Sequence, residues 1–134
     1  MVFNTHLDHQ SQEAREKSVR LIASRIAQRK PGDRFILMGD FNADETNSVV
    51  TYLTGQTEES SPVPMIDTFR ALHPEAQNTG TGNRFAGATD GPRVDYIFAP
   101  ADSKILEAGI IHTHREGFYP SDHYPVHATL RWEP

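Results

Sequence analysis

Apolar and polar positions divide the chain into short blocks. Val2 to Leu7 is brief, rich in β-forming residues and ends at Asp8-His9, which reads as a strand. From Ser11 the period changes. Val19, Ile22, Ala23 and Ile26 recur at helical spacing, Arg15, Lys17, Arg20 and Arg29 lie largely off that stripe, and Pro31-Gly32-Asp33 ends the helix. Arg34 to Met38 is a second strand. Its continuous run Phe35-Ile36-Leu37-Met38 suits a strand buried on both faces, and it stops abruptly at Gly39-Asp40-Phe41-Asn42. A short helix is expected near Ser48 to Leu53. A polar, Pro-containing loop follows from Gly55 to Pro64, and then a helical turn within Met65 to Leu72 that Asp67 or Thr68 can cap. Gln77 to Pro92 is rich in Gly, Thr and Asn, and Phe85 is its only large apolar residue. So long an irregular stretch in a compact domain is usually functional or mobile. Three further strands are expected at Arg93–Ala99, Lys104–Thr113 and Val126–Trp132.

Strands alternate with helices early and follow one another late. This predicts an α/β (α+β) domain, a mixed β-sheet with helices on one face, over residues 1–134 as a single unit. Two helices cannot cover both faces of such a sheet, so one face is expected to remain apolar and to need a partner.

Composition adds exclusions. The 37% apolar and 23% charged fractions are globular values. With no cysteine, there is no disulfide framework and no thiolate metal site, leaving oxygen and imidazole as ligand types. No run of about 18 apolar residues exists to span a membrane. The N-terminus has no basic flank leading into an apolar stretch, so no signal peptide is read there and a cytoplasmic location is the expectation. The net charge of −5 argues against tight nonspecific binding to duplex nucleic acid, though a cluster of cation-binding carboxylates makes any nuclease look acidic.

Four places carry candidate chemistry. In Gly39-Asp40-Phe41-Asn42, alternation points Asp40 and Asn42 the same way and turns Phe41 into the core; the bland alternative is a strand-to-helix turn with a capping Asp or Asn. Ser121-Asp122-His123 offers an adjacent carboxylate and imidazole, or simply a solvated loop pair. Asp95 sits inside an apolar strand, where a carboxylate is costly unless paired. A histidine would satisfy it and in turn be oriented by it; otherwise Asp95 faces water from an edge strand. His6 ends the first strand, as a ring reaching over the sheet edge or as a satisfied core histidine, and Asp8 and His9 read as helix-capping neighbours.

In order, Asn4-Thr5-His6-Leu7, Gly39-Asp40-Phe41-Asn42, Arg93-Val94-Asp95-Tyr96-Ile97-Phe98 and Ser121-Asp122-His123-Tyr124-Pro125-Val126 resemble the endonuclease/exonuclease/phosphatase superfamily, the deoxyribonuclease I-like group. The resemblance implies hydrolysis of a phosphate ester by water attack on phosphorus. His6 would contact the scissile phosphate, Asp40 would orient or deprotonate the water, and Asn42 would bind a phosphoryl oxygen. Asp95 would hold His123, His123 would stabilise the charged transition state, and Asp122 would bind a divalent cation, Mg2+ or Mn2+. It also implies a four-layer α/β/β/α sandwich of two similar halves, of which this chain matches the C-terminal half. The early Asn and Glu of the family, the latter its main metal ligand, have no counterpart here; Glu13 and Glu45 are the nearest acidic residues and read as helix-surface positions. The expected partners are a phosphoester substrate and, through the bare sheet face, a second copy or a missing N-terminal half. The alternative is a catalytically incomplete half-domain acting as a folding or interaction module. Substrate choice is expected to lie in the loops Gly55–Pro64 and Thr79–Pro92, where Asn83, Arg84 and Arg93 could contact phosphate or sugar. Without an aromatic-interleaved basic patch, a small or lipid-like phosphoester is favoured over duplex DNA.

Overall fold

A computed structural model describes residues 1–132. Strand β1 (Val2–His6), helix α1 (Gln12–Ala27) and strand β2 (Ile36–Asp40) form a β-α-β unit in which the two strands are parallel. Parallel neighbours need a long crossover, and α1 supplies it. Ser11 caps α1, its hydroxyl accepting the Ala14 amide at 3.2 Å, while Asp8 accepts the amides of Gln10 and Ser11 at 2.7 and 2.6 Å. Helix α2 (Ser48–Leu53) follows, capped by Asn47.

Strand β3 (Met65–Asp67) runs directly into helix α3 (Thr68–Leu72), and Asp67 is both the last strand residue and the helix cap. Strand β4 (Asp95–Pro100) is antiparallel to both β2 and β3, giving a four-stranded mixed sheet of order β1-β2-β4-β3. The last two strands, β5 (Lys104–Ile110) and β6 (Val126–Arg131), pair only with each other, as a separate two-stranded ribbon. Two expectations are corrected here. The sheet is four strands plus a ribbon rather than one five-stranded layer, and Met65–Asp67 is a strand.

One core holds the molecule together. Val19, Ala23 and Ile26 of α1 and Val49, Val50 and Leu53 of α2 meet Leu37, Tyr96 and Phe98 of the sheet, all at most 3% exposed. Phe41 sits among them edge-on to Tyr96 and Phe98, with ring centroids 5.6 and 5.2 Å away. Alternation turns the neighbouring residues to the opposite face. There Met38 pairs with Ile97, Ile36 with Val2 and Asp40 with both Asp95 and His6. That face stays half-open, with Ile36, Met38 and Ile97 partly exposed and Val2 65% exposed. The polar strand ends therefore lie at the rim of the face that α1 and α2 do not cover.

Candidate active site

Asp40 ends β2 and Asp95 begins β4, opposite it in register. Getting Asp40 there requires Gly39. Its φ is +135°, and a Cβ on it would lie 1.9 Å from the Thr5 carbonyl oxygen of β1. Only glycine fits that conformation and that approach. After Asp40 the chain turns sharply. Phe41 donates its amide to Val94 at 2.8 Å, and Asn42 takes a left-handed φ of +47°. The Asp40 carboxylate accepts the Asn42 amide at 2.8 Å, and the Asn42 side chain donates to the Leu7 carbonyl at 2.9 Å, tying the end of β1 to the turn. One Asn42 amide hydrogen is thus spent inside the fold.

His123 comes from the segment before β6. Its Nδ1 lies 2.8 Å from the Asp95 carboxylate. A carboxylate accepts, so Nδ1 is the donor, and Nε2 is left facing Gly82, 4.0 Å from an ideal Cβ there. Burial pushes the imidazole pKa down. The hydrogen bond to Asp95 and the charges of Asp95, Asp40 and Asp122 together outweigh it, and the net shift is upward. His6 Nε2 lies 3.4 Å from Asp40, with the His6 side chain 74% exposed and Asp40 only 17%.

The loop expected to govern substrate choice also builds the site. Residues 79–92 fold back beside the Ser121–Tyr124 segment. Asn83 donates its backbone amide to the Asp122 carbonyl at 2.6 Å and its side-chain amide to the Ser121 carbonyl at 3.0 Å, while its side-chain oxygen accepts from Phe85 at 2.7 Å. Thr81 accepts the Tyr124 amide through its carbonyl at 2.7 Å, and its hydroxyl accepts the amides of Val94 and Asp95 at 3.0 and 3.2 Å. Thr81 and Asn83 are essentially fully buried. They clamp the His123 segment against the start of β4, so that imidazole and carboxylate meet. Asn83 is therefore structural rather than a loop group reaching for phosphate. Thr81 gave no signal beyond a polar residue in a polar stretch.

Arg93 is also corrected. It is 3% exposed and faces inward, its guanidinium shared between Asp67 and Glu45 and lying 4.3 Å over the Tyr96 ring. Arg70 completes the cluster through a two-pronged pairing with Glu45 at 2.6 and 2.7 Å. Glu45 is thus no surface helix residue. It sits in the turn before α2, and its two arginines, against an opposing desolvation cost, hold its carboxyl down to about 2. Engaged in this way, it is not available to a metal.

Asp40, Asp95 and His123 each offer one ligand atom, all within 4.8 Å of one another. Two carboxylates and an imidazole supply part of the shell that a hard divalent cation needs, about six ligands, mostly oxygen. Asp122 lies outside that trio. Its carbonyl binds the loop, and the exposed residue lines a cavity of about 240 Å³ together with Gly82, Arg84, Gly91, Pro92, Val94 and His123.

A mixed sheet whose strand ends converge on an Asp-His pair and a second carboxylate is the architecture of the deoxyribonuclease I-like fold. The chain belongs to the Endonuclease/Exonuclease/phosphatase family, whose sequence profile matches residues 2–123. No curated protein gives a significant match. Among solved structures, an endonuclease/exonuclease/phosphatase family protein from Bacteroides thetaiotaomicron is similar at 27% identity and TM-score 0.79, over 96% of this chain and 47% of that one. A mannosyl-6-phosphatase from Bacteroides thetaiotaomicron is similar at 27% identity and TM-score 0.75, over 98% and 51%. A functionally unknown conserved protein from Enterococcus faecalis matches at 25% identity and TM-score 0.77, over 98% and 50%. The chain spans about half the length of each.

Proposed function

We propose that this chain carries the catalytic half-site of a divalent-cation-dependent phosphoester hydrolase. The observation that supports it most is the His123–Asp95 hydrogen bond of 2.8 Å with the Asp40 carboxylate beside it, in a chain of this family. In this reading Asp95 fixes the tautomer and tilt of His123. His123, whose pKa Asp95 and the neighbouring carboxylates raise against burial, offers a donor to a phosphoryl oxygen as negative charge builds. Asp40 orients the attacking water and takes its proton. His6, largely open to solvent, contacts the scissile phosphate, and Asn42 offers its remaining amide hydrogen to a phosphoryl oxygen. Asp40 and Asp95, which lie together, and Asp122, outside that group, would hold Mg2+ or Mn2+, which when bound would supply Lewis-acid stabilisation of the phosphate.

A second reading has its own support. The carboxylates at the rim make only part of a cation shell, and Glu45, the nearest further acid, is committed to Arg93 and Arg70. The chain alone would then be a half-domain that completes its site by docking a second copy, or an N-terminal half, on the face carrying Val2, Ile36 and Met38. Hydrolysis of para-nitrophenyl phosphate and of its bis-ester with Mg2+, for wild type, Asp40→Ala and His123→Ala, separates the two readings. The hydrolase reading expects a loss of at least about a hundredfold in each variant; equal rates in all three would sink it for the isolated chain.

A further inference from the structure

The 240 Å³ cavity beside His123 contains one feature that neither the hydrolytic site nor the folding network uses. His123 stands in its wall through the ring edge not bound to Asp95. Arg84 stands in the same wall. Most arginines here are engaged: Arg15, Arg20, Arg29, Arg34, Arg70 and Arg93 all hold carboxylates, carbonyls or amide oxygens. Among the described residues the Arg84 guanidinium has no hydrogen bond or ion pair, although Asp122 lines the same cavity.

Arg84 is also held in an uncommon way. Its φ is +55°, a left-handed conformation that a long side chain rarely takes, and its amide is bound to the Asp122 carbonyl at 3.2 Å. Asn83 beside it is fully buried and clamped. The base of the arginine is therefore fixed relative to His123 although its head is free. Several backbone amides around the cavity are already bonded. The amides of Asn83 and Arg84 go to Asp122, that of Val94 to Thr81 and that of His123 to Ser121, and Pro92 has none. An anion in this cavity meets both the His123 ring and the Arg84 guanidinium in its wall.

We infer that Arg84 forms a second anion subsite, selecting phosphoesters whose alcohol carries a further phosphate or carboxylate. A guanidinium presents a planar fork matched to such an oxyanion. This inference rests on the hydrolase reading for placing the scissile phosphate at His123, but it is tested by binding.

Titration calorimetry of the chain in chelator-containing buffer, where turnover does not intrude, compares two pairs of probes. One pair is fructose 6-phosphate with fructose 1,6-bisphosphate, the other thymidine 5′-monophosphate with the 5′-phosphorylated dinucleotide. Wild type is expected to bind the two-phosphate member of at least one pair about tenfold more tightly, the scale of one exposed charge-assisted contact. Arg84→Gln removes that preference and leaves monophosphate affinity within about twofold, while Arg84→Lys restores part of it. Which pair shows the preference assigns the second anion to a sugar bisphosphate or to a nucleotide strand. The subsite is overturned if wild type shows no preference in either pair, if Arg84→Gln retains it, or if that variant weakens both members equally. A preserved preference in a chain that hydrolyses nothing would overturn the hydrolase reading and leave the subsite standing.

Discussion

At the scale of single residues, the site depends on Gly39 as much as on its charged groups. No rotamer change relieves a Cβ 1.9 Å from a backbone oxygen. Gly39→Ala must push β1 from β2 or flatten a +135° φ, and it moves Asp40 in either case. Urea denaturation should show a loss of about 3 kcal/mol or more, at the large end for point mutants; a change under about 1 kcal/mol would mean that the two strands are not so closely apposed. His123 gives the second prediction at this scale. Its imidazole titrates above the ordinary 6.5 because Asp95, Asp40 and Asp122 outweigh burial. A folded pKa above the unfolded one contributes stability fully present below about 6.5 and lost as pH rises through the folded value. NMR titration of the His123 ring should therefore give a midpoint above 6.5, lowered in Asp95→Asn. An unchanged midpoint in that variant would remove Asp95 as the cause. Asp40 and Asp95 were legible in the sequence because each ends or interrupts an apolar run, where a polar group needs a reason, whereas His123 stood in a polar loop and was singled out by its Ser121-Asp122-His123 motif. The left-handed turn at Asn42 was not, because strand alternation carries no information past the last paired residue.

At the scale of elements, the network of Arg93, Asp67, Glu45 and Arg70 joins the turn after β2, the β3–α3 junction and the approach to β4. The sequence could not show it, since its partners stand 26 and 48 residues apart and each alone looks like a surface charge. Strand β3 escaped for a related reason: three residues among prolines and polar groups show no period, and only pairing with β4 makes them a strand. The long helix α1 was readable because its apolar residues recur at helical spacing, and β2 because its apolar run is continuous. Arg93→Met leaves two carboxylates without their shared cation and should cost about 3–5 kcal/mol, the range for breaking a buried pair from one side. Arg93→Lys should recover little, since one ammonium cannot span both acids. The same network sets an acid limit. Glu45 is held near 2 against an ordinary 4.5, so its contribution is complete above about pH 4.5 and disappears as pH falls toward 2. Thermal melts of wild type should fall over that window and those of Glu45→Gln should fall less; parallel curves would exclude Glu45 as the source.

At the scale of the whole molecule, the layer is finished on one side only. Helices α1 and α2 seal the face of Leu37, Tyr96 and Phe98, while Val2, Ile36 and Met38 stand on the other. A small cavity bounded by Asp95, Ile97, Gly109, Ile110 and Val126 marks where the β5–β6 ribbon reaches over β4, so cover on that side is partial and centred on the site rather than on β1 and β2. Apolar area left bare forfeits about 25 cal/mol per Å² that burial would return. The chain alone should therefore associate through this face. Sedimentation equilibrium at micromolar concentration should give a weight-average mass above 15.0 kDa that rises with concentration. Val2→Glu, at an edge strand and already mostly exposed, should shift the distribution toward monomer without altering the circular dichroism spectrum, and Ile36→Glu should do so more strongly because it lies further into the face. If wild type sediments as a folded monomer over the whole range, the face is stable uncovered.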